Sequence, residues 1–304
     1  MLHKSVLLHE AIDGLNIKPG DIFVDGTLGG GGHMEEVCLR FGSTVVMIGI
    51  DLDSEAITRA SARLTHFKCP IHYVKGSFRN IDKILNSLGM KQVDKILLDL
   101  GISSNQFEES GRGFSFQKDE SLIMSFSSTD SPQAKFTARD IVNEWDEENI
   151  KTILQSYGEE QFAWKIAKAI VERRKIKPIE TTFDLVEIVK SATPKFYHHR
   201  KIHPATKTFQ ALRITVNDET ESLKEGIRKG FECLKPQGRL AVISFHSLED
   251  RIVKQFFSAK GGKNKEQQDK EGIIITKKPV TPTEIEISEN PRSRSAKLRI
   301  IEKS

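Results

Sequence analysis

The 304-residue chain has three cysteines, Cys38, Cys69 and Cys233. They are odd in number, far apart and at no metal-ligand spacing, which excludes a disulfide framework and fits a reducing compartment. No nearby His and Asp arrangement supports a catalytic thiol. Long apolar runs are missing as well: none reaches the roughly 18–20 residues that cross a bilayer. Met1 to Glu10 carries His3, Lys4 and Glu10 and has neither the apolar core nor the cleavage site of a signal peptide. A cytoplasmic protein without membrane association is expected. His and Asp residues are spread out with no ligand pattern, so no metal is expected. There are no internal repeats.

Hydrophobic residues make up 38% of the chain, enough to bury a core. The net charge of +4 is mild, and its distribution says more than its total. From Lys195 to Arg213 the chain carries Lys195, Arg200, Lys201, Lys207 and Arg213 with no acidic residue, and His198, His199 and His203 lie among them. A second cluster is Arg292, Arg294, Lys297 and Arg299. Either alone reads as solvated surface; two on one chain favour a polyanionic partner.

The first hundred residues alternate strand and helix signals. Ile22–Asp25, Val45–Ile50, Ile71–Val74 and Ile96–Leu100 are short apolar runs. Between them Ala56, Ile57, Ala60 and Leu64, then Ile81, Ile84, Leu85 and Leu88, recur at helical spacing. That order predicts βαβ units and a mostly parallel sheet with helices on both faces. The alternation stops over residues 105–205. There Phe162, Ile166 and Ile170 mark one face of a helix ending in Arg173, Arg174 and Lys175, a cluster that the helix dipole alone would favour. Thr181 or Thr182 can cap a following helix with Leu185, Ile188 and Val189. Asp130, Ser131 and Pro132 mark a loop. The α/β pattern then resumes: a helix through Leu223, Ile227, Phe231 and Leu234, stopped by Pro236, Gln237 and Gly238, and a strand at Leu240–Phe245. Residues 258–272 read as a polar loop, and Ile273–Ile275 and Leu298–Ile301 as edge strands. The domains expected are thus 1–104 with 206–304, interrupted by an all-helical insertion at 105–205.

The first strand runs into Val24-Asp25-Gly26-Thr27-Leu28-Gly29-Gly30-Gly31-Gly32-His33. A glycine-rich turn lets the backbone approach a ligand and sets amides at a helix start. Asp51 ends the second strand, where a carboxylate can accept hydrogen bonds from both ribose hydroxyls of an adenosine. This pair alone fits S-adenosylmethionine or NAD. Two features favour the first. The glycines do not follow G-x-G-x-x-G, and Asp25 would repel a pyrophosphate while suiting a cationic amino and sulfonium group.

Further blocks are Ser5-Val6-Leu7-Leu8-His9-Glu10, Leu97-Leu98-Asp99-Leu100-Gly101-Ile102-Ser103-Ser104 and Arg112-Gly113-Phe114-Ser115-Phe116. Tyr157-Gly158-Glu159-Glu160, His203 to Gln210, Ile243 to Arg251 and Asn290 to Ser295 continue them. With the turn, they make the chain resemble the bacterial 16S ribosomal RNA cytosine-N4 methyltransferase family over nearly its whole length. The resemblance implies a class I S-adenosylmethionine-dependent methyltransferase fold, Rossmann-like, with an inserted helical substrate domain. It implies cofactor contacts at Gly31, Gly32, His33, Asp51, Phe78, Asp99 and Gln106. Its implied substrate is a decoding-centre (P-site) cytidine of 16S ribosomal RNA, met in the small ribosomal subunit, with no obligate protein partner. Asp99, with Ser103, is the expected group for positioning the target amine. Arg112, Arg200, Lys201, His203, Lys207, Arg213, His246, Arg292 and Arg294 are the expected substrate contacts.

The chain departs from the family at Leu122-Ile123-Met124-Ser125-Phe126, where Leu-Asp-Met-Arg-Met is usual, so an acid and a base are missing. Asn105 replaces a proline and Gly30 an arginine. Methylation of DNA or a small molecule is the competing enzymatic reading, and a cofactor- or RNA-binding protein without turnover the non-enzymatic one. The basic stretches favour RNA.

Overall fold

The computed structural model describes residues 4–101, 111–126, 136–262 and 270–304. They form two units, Met1–Gly101 with Thr220–Ser304, and Ile102–Glu219. No helix among the described residues is long and apolar enough to cross a membrane.

The first unit holds an eight-stranded sheet. Its strands are β1 (Ile22–Asp25), β2 (Val46–Asp51), β3 (Ile71–Lys75), β4 (Val93–Asp99), β5 (Leu234–Ser244), β6 (Gly261–Gly262), β7 (Gly272–Ile274) and β8 (Lys297–Lys303), in the order β3-β2-β1-β4-β5-β8-β7-β6. The pairs β2–β3, β1–β2, β1–β4 and β4–β5 are parallel, and β8 is antiparallel to both β5 and β7. Alternate residues of each strand enter two cores. Phe23, Met47, Leu97, Ala241 and Ile243 face one, built with α1 (Leu8–Leu15), α2 (Gly32–Phe41) and α3 (Ser54–Leu64). Val24, Ile48, Ile50, Ile96, Leu98, Leu240 and Val242 face the other, with α4 (Ile81–Ser87). Burial on both faces is why these strands read as unbroken apolar runs. This is the expected Rossmann-like class I methyltransferase sheet. The chain order reverses between β1 and β4, and in open α/β sheets ligands bind outside the carboxyl ends of the strands at such a switch point.

In the second unit the described helices are α5 (Ala138–Glu144), α6 (Glu147–Ser156), α7 (Ala163–Arg174), α8 (Thr182–Ala192), the single turn α9 (Lys195–His198) and α10 (Thr206–Asn217). Ile166 and Ile170 are fully buried, as their spacing predicts. Thr181 caps α8 in a capping box with Asp184. The Arg174 guanidinium donates to the carbonyls of Val142 and Trp145, at 3.1 and 2.7 Å, so this cation fastens one helix end to another.

Three expectations need correction. The α/β pattern was expected to resume at residue 206, but α10 buries Phe209, Ala211 and Leu212 in the core that Ile150, Leu154 and Ile166 also share. The helical unit therefore extends to Glu219. Pro236, Gln237 and Gly238 do not stop the next helix. That helix, α11 (Glu219–Cys233), ends before Leu234, whose buried side chain opens β5 opposite Val93. Of the polar stretch 258–272, residues 258–260 finish α12 (Ser247–Lys260), and Gly261, Gly262 and Gly272 join the sheet. Residues 263–269 and the loop at Asp130–Pro132 lie outside the described residues.

Candidate functional site

The turn after β1 stands at the switch point. Gly31 has φ +75°, a left-handed conformation that a side chain would strain, and a Cβ there would come within 3.1 Å of the Ala60 Cβ. Gly31 is the N-cap of α2, so the first amides of that ten-residue helix border the turn. Gly30 has nothing within 4 Å of a Cβ position, so the turn's backbone does not depend on which residue stands there.

Three aspartates at the ends of β1, β2 and β4 surround the turn. Asp51 is already engaged: its Oδ2 accepts from the Gly29 amide at 2.8 Å and its Oδ1 from the Asp53 amide at 2.8 Å. Burial raises its pKa against those bonds. Asp25 is almost wholly buried and accepts from the Thr27 amide at 3.1 Å. Burial, with the Asp51 charge, pushes it up to about 7. Asp99 rises well above the usual carboxylate range through burial and the charges of Asp25 and Glu249. Its backbone amide donates to the Thr27 hydroxyl at 2.6 Å. Among the described residues its Oδ1 is buried without a hydrogen-bond partner. Desolvated, mutually repelling carboxylates with one oxygen unsatisfied form a site that a cation completes.

His33 is buried in the first turn of α2, with Nε2 3.3 Å from the Val6 carbonyl and Nδ1 3.8 Å from Asp99 Oδ2. Phe78 follows β3 at the start of a 3₁₀ turn and is half-buried. One side of its ring lies on α11, where a Cβ at Gly226 would come within 2.3 Å of it. Gly31, Gly32, His33, Asp51 and Asp99 are thus gathered around one turn. Gln106 and Ser103 lie outside the described residues. Thr27 and Glu249, which the sequence reading passed over, act on Asp99. Thr27 was legible, since a hydroxyl two residues beyond a strand-end aspartate is a common local hydrogen-bond partner. Glu249 is far away in sequence and gave no signal.

Several expected substrate residues are tied up. The Arg112 guanidinium donates to the carbonyls of Ser125 and Phe126, at 3.0 and 3.1 Å, and lies near the Phe114 ring, which stacks on Phe126. It holds the 122–126 segment, the very stretch where the acid and base are missing. Arg213 forms a two-pronged pair with Glu219, at 2.7 and 2.8 Å. His246 is the N-cap of α12, its Nδ1 accepting from the Glu249 amide at 3.4 Å. Lys297 and Arg299 both contact Asp250, which leaves only Arg292 and Arg294 of the C-terminal cluster exposed. The Lys207 ammonium donates to the Glu159 carbonyl at 2.6 Å. Arg200, Lys201, His203 and Lys207 do come together, lining one pocket with Tyr197 and Ile202.

A profile of the MraW methylase family matches residues 1–304. The Ribosomal RNA small subunit methyltransferase H of Sulfurihydrogenibium sp. (strain YO3AOP1) is 48% identical over 298 residues, 98% of each chain. The protein of that name from Lachnospira eligens is 44% identical over 315 residues, covering 99% of this chain and 97% of its own. The one from Brevibacillus brevis is 44% identical over 314 residues, 99% and 98% of the two chains. End-to-end agreement takes in both the aspartate-ringed turn and the helical unit, and this chain belongs to the MraW methylase family.

Proposed function

We propose that this protein transfers a methyl group from S-adenosylmethionine to the N4 amine of a decoding-centre (P-site) cytidine in 16S ribosomal RNA, within the small ribosomal subunit. The observation that carries the cofactor is the set of three desolvated aspartates around a glycine turn, with Asp99 Oδ1 unsatisfied among the described residues. That donor set fits a ligand bearing an ammonium and a sulfonium and repels a pyrophosphate. The full-length relatives are named for small-subunit ribosomal RNA, which supports the substrate class.

Bound here, S-adenosylmethionine supplies an electrophilic methyl carbon. Asp51 keeps a lone pair on each oxygen for the two ribose hydroxyls while the Gly29 and Asp53 amides hold it still. Gly31 and Gly32 would let the backbone come close to the ligand, and His33, in the first turn of α2, would border it. Phe78 would border the adenine, and Gln106, which follows β4 in the sequence, is a further candidate contact. Asp25 faces the cationic end.

Asp99 acts on the nucleophile. The N4 lone pair of cytosine is conjugated with its ring and attacks poorly. A carboxylate that accepts a hydrogen bond from the amine orients it and stabilises the positive charge that grows as the nitrogen–carbon bond forms. As the methyl–sulfur bond would break toward sulfur, Asp99 would take the surplus proton of the amine. Alignment of nitrogen, carbon and sulfur supplies much of the remaining acceleration. Ser103 is a second candidate for positioning the amine. Arg200, Lys201, His203, Lys207, Arg292 and Arg294 are the substrate residues with exposed or pocket-lining groups.

Mass spectrometry of ribosomal RNA from cells lacking the protein tests this reading, with methylation assays on assembled small subunits, naked RNA and DNA. Loss of one N4-methylcytidine from the small-subunit RNA is expected. An unchanged modification map, or preferred methylation of DNA, would overturn the substrate.

A further inference from the structure

The helical unit exposes aromatic and apolar surface that its core does not need. Phe196 in α9 is 61% exposed and Ile202 is 59% exposed. A pocket of about 260 Å³ is lined by Tyr197, Arg200, Lys201, Ile202, His203 and Lys207. It is near the lower end of the ~300–1,000 Å³ typical of small-ligand sites. Three of its lining side chains are held by contacts of their own. The Tyr197 hydroxyl donates to the buried Glu160 at 2.7 Å, and the Arg200 guanidinium lies 4.8 Å over the Tyr197 ring. The His203 ring stacks on Phe116 at 4.6 Å, and its Nδ1 accepts from the Ala205 amide at 3.2 Å. Burial and the charges of Lys190 and His198 lower the His203 pKa, which favours a neutral, flat ring. Phe196 precedes the lining residue Tyr197 in α9, and the Phe162 ring lies 6.3 Å from the Phe196 ring and 5.0 Å from that of Tyr197. Lys165 sits 5.9 Å from the Phe162 ring.

Two chemistries meet here. Arg200, Lys201 and Lys207 supply positive charge, and none of the described lining residues is acidic. Ile202, His203 and Phe196 supply flat or apolar faces. An anion alone would not need the apolar faces, and an apolar partner would not need the cations. A nucleotide needs both, because phosphate and base are adjacent on one chain. A paired base hides its faces in the stack, so only an unpaired one can use them.

We infer that this pocket, extended by the exposed Phe196 next to Tyr197 in α9, is a subsite for an unpaired nucleotide of the RNA substrate, its base against Ile202 and Phe196 and its phosphate on Arg200 and Lys201. The inference rests on the RNA reading above and adds the class of RNA: single-stranded at the point of contact. Neither Phe196 nor Ile202 stands out in the sequence as more than an isolated apolar residue.

The test measures binding of the full-length protein to a short oligouridine, which lacks the target base, and to duplex RNA of equal length. The variants are Phe196→Ala, Phe196→Tyr and Ile202→Ala. Both side chains are largely exposed, and thermal melting checks that each variant folds. Losing one stacked base weakens binding roughly 5- to 100-fold. Phe196→Ala and Ile202→Ala should therefore weaken oligouridine binding by that order with little change for duplex. Phe196→Tyr should restore it. Wild-type affinity for oligouridine in both alanine variants would overturn the subsite and leave the RNA reading standing. Competition by polyglutamate as effective as that by oligouridine would assign the pocket to an acidic protein segment and also overturn it. Wild-type protein that binds its cofactor in calorimetry but neither RNA would defeat the RNA reading itself.

Discussion

The Gly29 amide donates to the Asp51 carboxylate across 2.8 Å, which fastens the turn after β1 to the end of β2. Asp51 therefore shapes the turn and, on the proposed reading, also receives the ribose. Asp51→Ala removes both contributions. A drop of roughly 1–3 kcal/mol in S-adenosylmethionine affinity is expected from removing hydrogen bonds to a charged group. Asp51→Asn retains an acceptor oxygen for one of the two amides and should lose less. Calorimetry on the folded variants checks both. Unchanged affinity in Asp51→Ala would move the ribose elsewhere.

Asp25 makes the ligand-free protein pH-sensitive. The folded chain holds the Asp25 proton to about pH 7, whereas the ordinary carboxyl value is 3.8. Between these values the folded state binds more protons than the unfolded one, so this group lowers stability as pH rises from about 4 to about 7, and the loss then levels off. The interval corresponds to an effect of order 4 kcal/mol at most. Asp25→Asn removes the ionisation and keeps an oxygen for the Thr27 amide. The ligand-free variant should melt higher than wild type at pH 8 and differ little at pH 4. Equal melting shifts at both pH values would show that Asp25 ionises freely. Because a cationic ligand favours the ionised form, cofactor binding near pH 6 should also release a proton, visible as a dependence of the calorimetric heat on the buffer's ionisation enthalpy.

The basic cluster divides into groups that are engaged and groups that are available. Arg213 is paired with Glu219 and both side chains are mostly buried. Arg213→Ala should cost stability, about 1–3 kcal/mol, and leave the salt dependence of RNA binding alone. Arg200→Ala with Lys201→Ala should do the opposite. Removing one cation that neutralises a phosphate of a single strand flattens the slope of log affinity against log salt by about 0.7. Denaturant melts and binding at several salt concentrations separate the two. A slope altered by Arg213→Ala would return that residue to the interface.

These assignments mark how far the sequence could be read. The sheet was legible because strands buried on both faces appear as apolar runs, and the turn because its glycines, Asp25 and Asp51 are local. Helix α1 was missed although Leu8, Ala11, Ile12 and Leu15 recur at helical spacing. The end of the helical unit was misplaced because α10 carries an apolar stripe that suits either unit, and only its packing decides. Which cations were available was not legible at all. Arg112, Arg213, Lys297 and Arg299 look like free charge in the sequence, and each finds its acceptor only in the fold.

Asp99 offers the sharpest test of mechanism. Its Oδ2 lies 3.8 Å from His33 Nδ1, its Oδ1 is buried without a partner among the described residues, and its amide is held by Thr27. Asp99 is thus positioned by two contacts, and one carboxylate oxygen is left unsatisfied among the described residues. Without ligand, burial and the charges of Asp25 and Glu249 favour its protonated form. In that form it cannot accept the amine proton. A cationic cofactor beside it reverses the balance and favours the carboxylate just when the acceptor is needed. Methyl transfer should accordingly rise with pH in the wild type as Asp99 ionises. Asp99→Asn preserves shape and removes both the charge and the proton acceptor. Loss of a general base typically costs 10²- to 10⁴-fold in rate. In single-turnover kinetics at saturating cofactor, the variant should slow by that order, keep near-normal cofactor affinity and lose the pH dependence that Asp99 confers. A wild-type rate would confine Asp99 to cofactor binding. A slowed rate with the pH profile intact would mean that the proton leaves by another group.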